Sequence, residues 1–396
     1  MTPTSFYVAF SALLGIRIGA LVFFVPSLQE ELFAPFLASF VSEPSLDPWD
    51  RWLEGGGRPD AFPYGPAMLA YFAAIGAMFE LLGSGLSDAT AQVSIGVGLI
   101  LVEVIAWFIL LKLKNEWDRR TLISVLFVTT PIVLFASYIH GQLDIVPSTL
   151  MLLSLAAATS KRFGFSGFFL GLAAATKFSF LLVLPIFLIF LFRNPRFRPH
   201  LPRFVFGMLP GAALLLAPLV LSGYRSMVAG TPEVEKLLSY AVDVGEGELV
   251  LLAPLVIFGF YALALSFRRF NQNVLVLASS IFLVAIPLFM PSSPGWYLWG
   301  ITPLAFVAAR LGVEQLVSVS SVVVLQTVSS FAKSSSGSAR FGNPPDQLNN
   351  LEASWGFVSN LGSTFTLVIG LLVLWRLWSR GSKFWDPYRT AKTPMA

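Results

Sequence analysis

The chain has no cysteine, which excludes disulfide staples and thiolate metal sites. Charge is scarce too. Asp, Glu, Lys and Arg make up 12% of its 396 residues, and histidine occurs twice. A net charge of +4 spread over such a length leaves no basic face of the kind nucleic-acid binding requires. The space is filled by apolar residues, 56% of the total, and mean hydropathy is +0.75. Soluble domains do not carry that load. Apolar runs of roughly 18 residues or more recur from end to end, the length a helix needs to cross a bilayer. The expected fold is an all-α polytopic membrane protein.

Clear spans are expected at about 6–25, 93–111, 121–138, 145–159, 204–222, 249–267, 273–290, 296–310, 315–331 and 361–378. The run from Phe6 to Val25 is too long for a signal peptide and lacks a small-residue cleavage pattern, so it reads as the first span. Two segments are ambiguous. Tyr64 to Gly83 opens with Pro66 and carries Glu80, while Phe163 to Phe192 is interrupted by Lys177. The positive-inside rule arbitrates between the options. If 64–83 does not cross and 163–192 is two short helices meeting near Lys177, most of the 26 Lys and Arg fall on one side. The expectation is about 12 transmembrane helices with both termini cytoplasmic. A first outer loop, about 26–92, would contain juxtamembrane helices, among them an amphipathic one from Leu28 to Val41 lying along the surface.

That topology sends the unusual polar and aromatic motifs to one face. They are Asp47-Pro48-Trp49-Asp50-Arg51-Trp52, Phe62-Pro63-Tyr64-Gly65-Pro66, His140-Gly141-Gln142-Leu143-Asp144, Lys177 and Trp296-Tyr297-Leu298-Trp299. Their order resembles that of the GT-C glycosyltransferases that use polyprenyl-phosphate sugars, such as the dolichol-pathway glucosyltransferases and the GPI mannosyltransferases. The Asp47 stretch with Pro63-Tyr64-Gly65-Pro66 is similar to that family's first lumenal loop. His140 to Asp144 resembles its Gly-Gln-x-Asp/Asn turn, and Thr176-Lys177-Phe178 with Leu184-Pro185 its lysine-to-proline segment. Trp296 to Trp299 with Pro303 resembles its late Tyr-x-x-Trp and proline pattern. The family's aspartate-tyrosine start is Asp47-Pro48 here, preceded by a longer segment than usual.

The resemblance implies a GT-C-like fold, with residues 1–192 as a catalytic module and 193–396 as a variable module for lipid and acceptor binding. It also implies an inverting, metal-independent sugar transfer without a cofactor. The partners would be a polyprenyl-phosphate sugar donor, a glycolipid or cell-envelope glycan acceptor and membrane lipids. The site would face away from the cytoplasm across a plasma (inner) membrane.

The chemistry asks for a base and for a stabiliser of the departing phosphate. Asp47 is the first candidate base and Asp50 the second, although Asp47 before Pro48 also suits a helix cap. Lys177 is the first candidate for the donor phosphate, with Arg340 and Arg225 behind it. His140, Gln142, Asp144, Tyr64, Trp296, Tyr297 and Trp299 are candidates for sugar or acceptor contacts. Asp47, Asp50 and Asp144 could instead collect a hard divalent cation. Arg17 and Glu103, each near the middle of a span, are expected to form a structural pair. Two other classes remain open: a transporter or flippase of lipid-linked sugars, and a polysaccharide polymerase or ligase. The first would normally show internal repeats, and the second a large late outer loop rich in Arg and His.

Overall fold

The computed structural model describes residues 3–112, 130–267 and 270–311, together with 338–339, 368, 371, 372 and 375. The expected span at 315–331, nearly all of the one at 361–378, the first half of the one at 121–138, and Arg340 lie outside the described residues. Within them the chain is a stack of apolar helices. Four are long and apolar enough to cross a membrane: Pro66–Gly83, Asp88–Leu110, Arg198–Val220 and Gln272–Phe289. Shorter apolar helices, including Ile145–Thr159, Phe163–Thr176 and Leu252–Ser266, pack among them. It is an integral membrane protein. A pairing of Phe24 and Val25 with Ala339 and Ser338, and a hairpin of Ala241–Gly245 with Glu248–Leu251, are the described β-structure.

Helix boundaries follow local chemistry. Pro48 and Pro66 start their helices at positions where the missing N–H costs nothing. Asn271 caps Gln272–Ala285 by accepting from Val274 N at 2.9 Å. The run from 163 to 193 breaks at Lys177, whose extended backbone (φ −151°, ψ 121°) separates Phe163–Thr176 from a 3-10 turn, Phe178–Val183, and a helix, Leu184–Arg193. The break frees backbone groups, and one is satisfied from a distance: Gly65 N donates to Thr176 O at 2.9 Å. A Cβ at Gly65 would overlap the carbonyl of Ala175, so only glycine lets the first loop come this close.

The tightest helix pair is Phe163–Thr176 against Leu201–Leu216. Gly164, Gly167 and Gly171 on one helix face Gly207 and Gly211 on the other. A Cβ at Gly167 would overlap Phe204 O, and one at Gly211 would overlap the backbone of Gly171. Such small-residue seams let helix backbones touch where water supplies no driving force. Ser154 Oγ adds a bond to Ser166 O at 2.8 Å, tying Ile145–Thr159 to the same helix.

The bundle has two chemically distinct ends. Ala158 O accepts from Gln272 Nε2 at 2.6 Å, and Asn194 Nδ2 donates to Phe270 O at 2.8 Å. These contacts gather the turns that carry Lys161, Arg162, Arg193, Arg196 and Arg198. Asp144 sits at the other end of the helix that leads to Ala158. The first loop is at Asp144's end, and it does not lie loosely on a surface. Phe33, Phe36, Leu37, Trp49, Phe62 and Tyr64 are all buried. Phe36 stacks on Phe62 at 5.0 Å between centroids, and Trp49 meets Tyr224 edge-on. The segment expected along the surface from Leu28 to Val41 is therefore core, because its aromatic face finds the rest of the loop. Midway along the bundle Arg17 Nε donates to Glu103 Oε2 at 2.8 Å, both side chains fully buried.

Candidate active site

Asp144 is the hub of the polar end. It precedes Ile145–Thr159 and makes no cap bond there. Its carboxylate is fully buried and points sideways to partners from three distant segments. Oδ1 accepts from Lys177 Nζ at 2.5 Å and from Trp299 Nε1 at 2.8 Å. Oδ2 accepts from the Tyr64 hydroxyl at 3.2 Å. That hydroxyl also lies 3.3 Å from Gln142 Oε1 and accepts from Leu143 N at 3.4 Å. One buried anion is thus met by one cation and two neutral donors, the arrangement that makes a buried charge tolerable.

Each donor is aimed by its own support. The helix break holds Lys177, whose side chain keeps 13% of its surface exposed. Its ammonium also stands 5.1 Å from the Tyr64 ring centre, 5.6 Å from Trp296 and 5.4 Å from Trp299. Trp299 is fixed through its carbonyl, which accepts from Ser148 Oγ at 3.1 Å, while Thr302 bonds the same serine. The turn before Asp144 depends on Gly141, whose φ of +97° few other residues adopt.

A cavity of about 630 Å³ opens over this cluster. Its walls are mostly apolar, with Leu28, Leu32, Phe33, Leu182, Leu219, Val228 and Met290 among them. Polar groups reach it from Asp60, Tyr64, His140, Gln142, Lys177 and Lys236, beside Trp296 and Trp299. Contributors come from both sides of residue 192. Asp60 is held in a two-point grip by Arg58, with Nε to Oδ1 at 3.0 Å and Nη2 to Oδ2 at 2.7 Å. That hydrogen-bonded guanidinium lowers the Asp60 pKa below its ordinary value, so the carboxylate is ionised at neutral pH.

His140 stacks parallel to Phe135 and lines the cavity. Burial pushes its pKa down to about 4, against a smaller opposing pull from Asp144, so the imidazole is neutral at pH 7. The unfolded chain binds this proton near pH 6.5, so folding stability from the neutral ring is complete above that pH and falls between about 6.5 and 4. The expected result is that His140→Asn flattens the loss of melting temperature over this window. A slope unchanged by the substitution would contradict it.

The structure thus brings together Tyr64, His140, Gln142, Asp144, Lys177, Trp296 and Trp299. Tyr297 turns elsewhere, its hydroxyl accepting from Ser292 Oγ at 2.8 Å. Asp47 accepts from Asp50 N at 3.1 Å as the cap of Pro48–Glu54, and Asp50 accepts from Ser222 Oγ at 3.1 Å. Neither aspartate is among the cavity's lining residues. Arg225 spends its guanidinium on the carbonyls of Leu219 and Val220, at 2.9 and 3.0 Å. Among the described residues no three His, Asp or Glu side chains converge as a metal site would require. Sequence reasoning passed over Asp60 and Lys236. The first lies three residues before Pro63-Tyr64, a usable signal; the second sits in the short 3-10 helix Pro232–Leu238, close in sequence to Glu233 and Glu235, with no pattern to mark it.

The chain is a helical membrane protein with an apolar cavity whose polar floor is assembled from four loops. No protein-family model matches it, and no curated protein does. Among solved structures it is similar to the crystal structure of ArnT from Cupriavidus metallidurans bound to undecaprenyl phosphate. The identity is 13%, over 94% of this chain and 77% of that one, with a TM-score of 0.48.

Proposed function

We propose that this protein is a GT-C-type glycosyltransferase that moves a sugar from a polyprenyl phosphate to a hydroxyl of a lipid-linked or cell-envelope acceptor. The reaction would occur on the extracytoplasmic face of a plasma membrane crossed about 12 times, with both termini cytoplasmic. The observation that carries the reading is the cavity. Its apolar walls suit an isoprenoid chain, and Lys177 and Asp60 among its lining residues supply a cation and a carboxylate of the kind the transfer needs. The order of the sequence motifs supports the same chemistry.

In this reading Asp60 is the base, in preference to Asp47 and Asp50, because Asp60 is among the residues that line the cavity and they are not. The acceptor oxygen attacks the anomeric carbon from the face opposite the phosphate. The new C–O bond forms as the bond to the phosphate oxygen breaks, and its electron pair leaves with the phosphate. The acceptor's proton passes to Asp60, and the configuration inverts. A weakly basic carboxylate suffices when the proton moves late, after the anomeric carbon has gained positive charge.

The test is a transfer assay with a panel of polyprenyl-phospho-sugars beside nucleotide sugars. Turnover of a polyprenyl-linked donor is expected, with Asp60→Asn slower by about 100-fold or more at unchanged melting temperature. Turnover of nucleotide sugars alone would contradict the proposal, and full activity in Asp60→Asn would remove that residue from the mechanism.

A further inference from the structure

The end of the bundle opposite the cavity gathers charge of one sign. From Ile145 to Pro232 the sequence has no Asp or Glu, yet Lys161, Arg162, Arg193, Arg196, Arg198 and Arg203 fall within that stretch. All six are exposed. The fold draws their turns together. The Phe163 ring, next in the chain to Arg162, meets Phe197 at 5.4 Å and His200 at 5.1 Å between centroids. A Cβ on Gly164 would stand 3.7 Å from the carbonyl of Arg203. Among the described residues none of the six is in an ion pair. Arg193 Nη2 donates to Phe267 O at 3.4 Å and Arg198 Nε to Phe192 O at 3.0 Å, which engages one of the five N–H donors of each guanidinium.

Positive charge at a bundle end could serve topology alone. Two observations ask for more. Five of the six cations are arginine, whose planar fork binds phosphate oxygens in pairs, whereas lysine would serve a topological signal equally well. The cluster is also edged by bare aromatic surface. Phe165 is 60% exposed, Phe192 62% and Phe206 70%, and the Arg198 guanidinium lies 5.1 Å from the centre of the Phe192 ring. Cations beside open apolar rings match one kind of neighbour, a charged headgroup with hydrocarbon directly beneath it.

We infer that this end of the bundle is a docking surface for anionic phospholipids of the leaflet opposite the cavity. Arg162, Arg196, Arg198 and Arg203 take the headgroup phosphates there, and Phe165 and Phe206 lie against the acyl chains. The inference stands apart from the transferase reading, since it uses none of the cavity's residues. Its consequence is mechanical: lipid phosphates supply the counter-charge that the chain itself leaves out, and so hold these turns together against their mutual repulsion.

Native mass spectrometry of the full-length protein in detergent tests this, with phosphatidylglycerol, phosphatidylcholine and inorganic phosphate as probes. Wild type is expected to retain phosphatidylglycerol about tenfold or more over phosphatidylcholine, and rising ionic strength should erode that preference. The Arg196→Gln/Arg198→Gln/Arg203→Gln variant should lose about tenfold or more in phosphatidylglycerol affinity, with phosphatidylcholine unchanged. Arg51→Gln/Arg58→Gln, which removes two cations from the other end, should bind as wild type. If the triple variant does not insert, Arg198→Gln and Arg203→Gln carry the comparison singly, each expected to lose about threefold or more. Equal retention of the two lipids by wild type would overturn the inference, as would undiminished phosphatidylglycerol affinity in the folded glutamine variants. So would displacement of phosphatidylglycerol by an equal concentration of inorganic phosphate, since that describes a free-anion site.

Discussion

Asp144→Leu is expected to lower the stability of the folded protein by about 3–5 kcal/mol, the range for breaking a buried ion pair. The substitution fills the space but removes the one acceptor that Lys177, Trp299 and Tyr64 share. Lys177, with only 13% of its side chain exposed, cannot recover its solvation in place. The indole N–H loses its acceptor at the same moment, while the Tyr64 hydroxyl keeps Gln142 Oε1. If the loss arises from the stranded charge, removing that charge should restore much of it. The Asp144→Leu/Lys177→Met double variant is therefore expected to melt above the single Asp144→Leu variant. Thermal or denaturant unfolding in detergent, run as a double-mutant cycle, measures both effects. Equal stability of wild type and Asp144→Leu would mean that the cluster is not held by this carboxylate.

The second large effect belongs to the glycine seam. Gly211→Val is expected to destabilise the protein by about 3 kcal/mol or more and to reduce the yield of folded material. A Cβ there has no free direction, because it overlaps the backbone of Gly171, and backbone atoms yield far less readily than a side chain. Gly259, on Leu252–Ser266, is the matched control. A Cβ at that position meets nothing within 4 Å, so Gly259→Ala should be neutral or slightly stabilising. If Gly211→Val unfolds no more readily than Gly259→Ala, the close approach of the two helices is not what holds this part of the bundle. The consequence would reach the site, since Phe163–Thr176 ends at Lys177 and delivers its ammonium to Asp144.

Much of this was legible in the chain because it depends on local quantities. The membrane class follows from apolar runs, and the break near Lys177 from a charge set in a run too long for one span. The convergence of Tyr64, His140, Asp144, Lys177 and Trp299 was legible through topology, since helices that alternate in direction send every second loop to the same end. The caps were legible too, and Asp47 before Pro48 is one, accepting from Asp50 N.

Other features were decided only when the helices packed. That Lys177 is already paired depends on Asp144 turning sideways from its helix end, and sequence spacing carries no such direction. The segment from Leu28 to Val41 read as a helix lying along the surface, and became core because Phe36 found Phe62 and Trp49. Asp60 and Lys236 share a cavity although 176 positions separate them, a proximity that no local pattern encodes. Composition and periodicity determine which solvent each segment prefers and how long a helix must be. Which charge neutralises which is a pairwise matter settled by distance in the folded state.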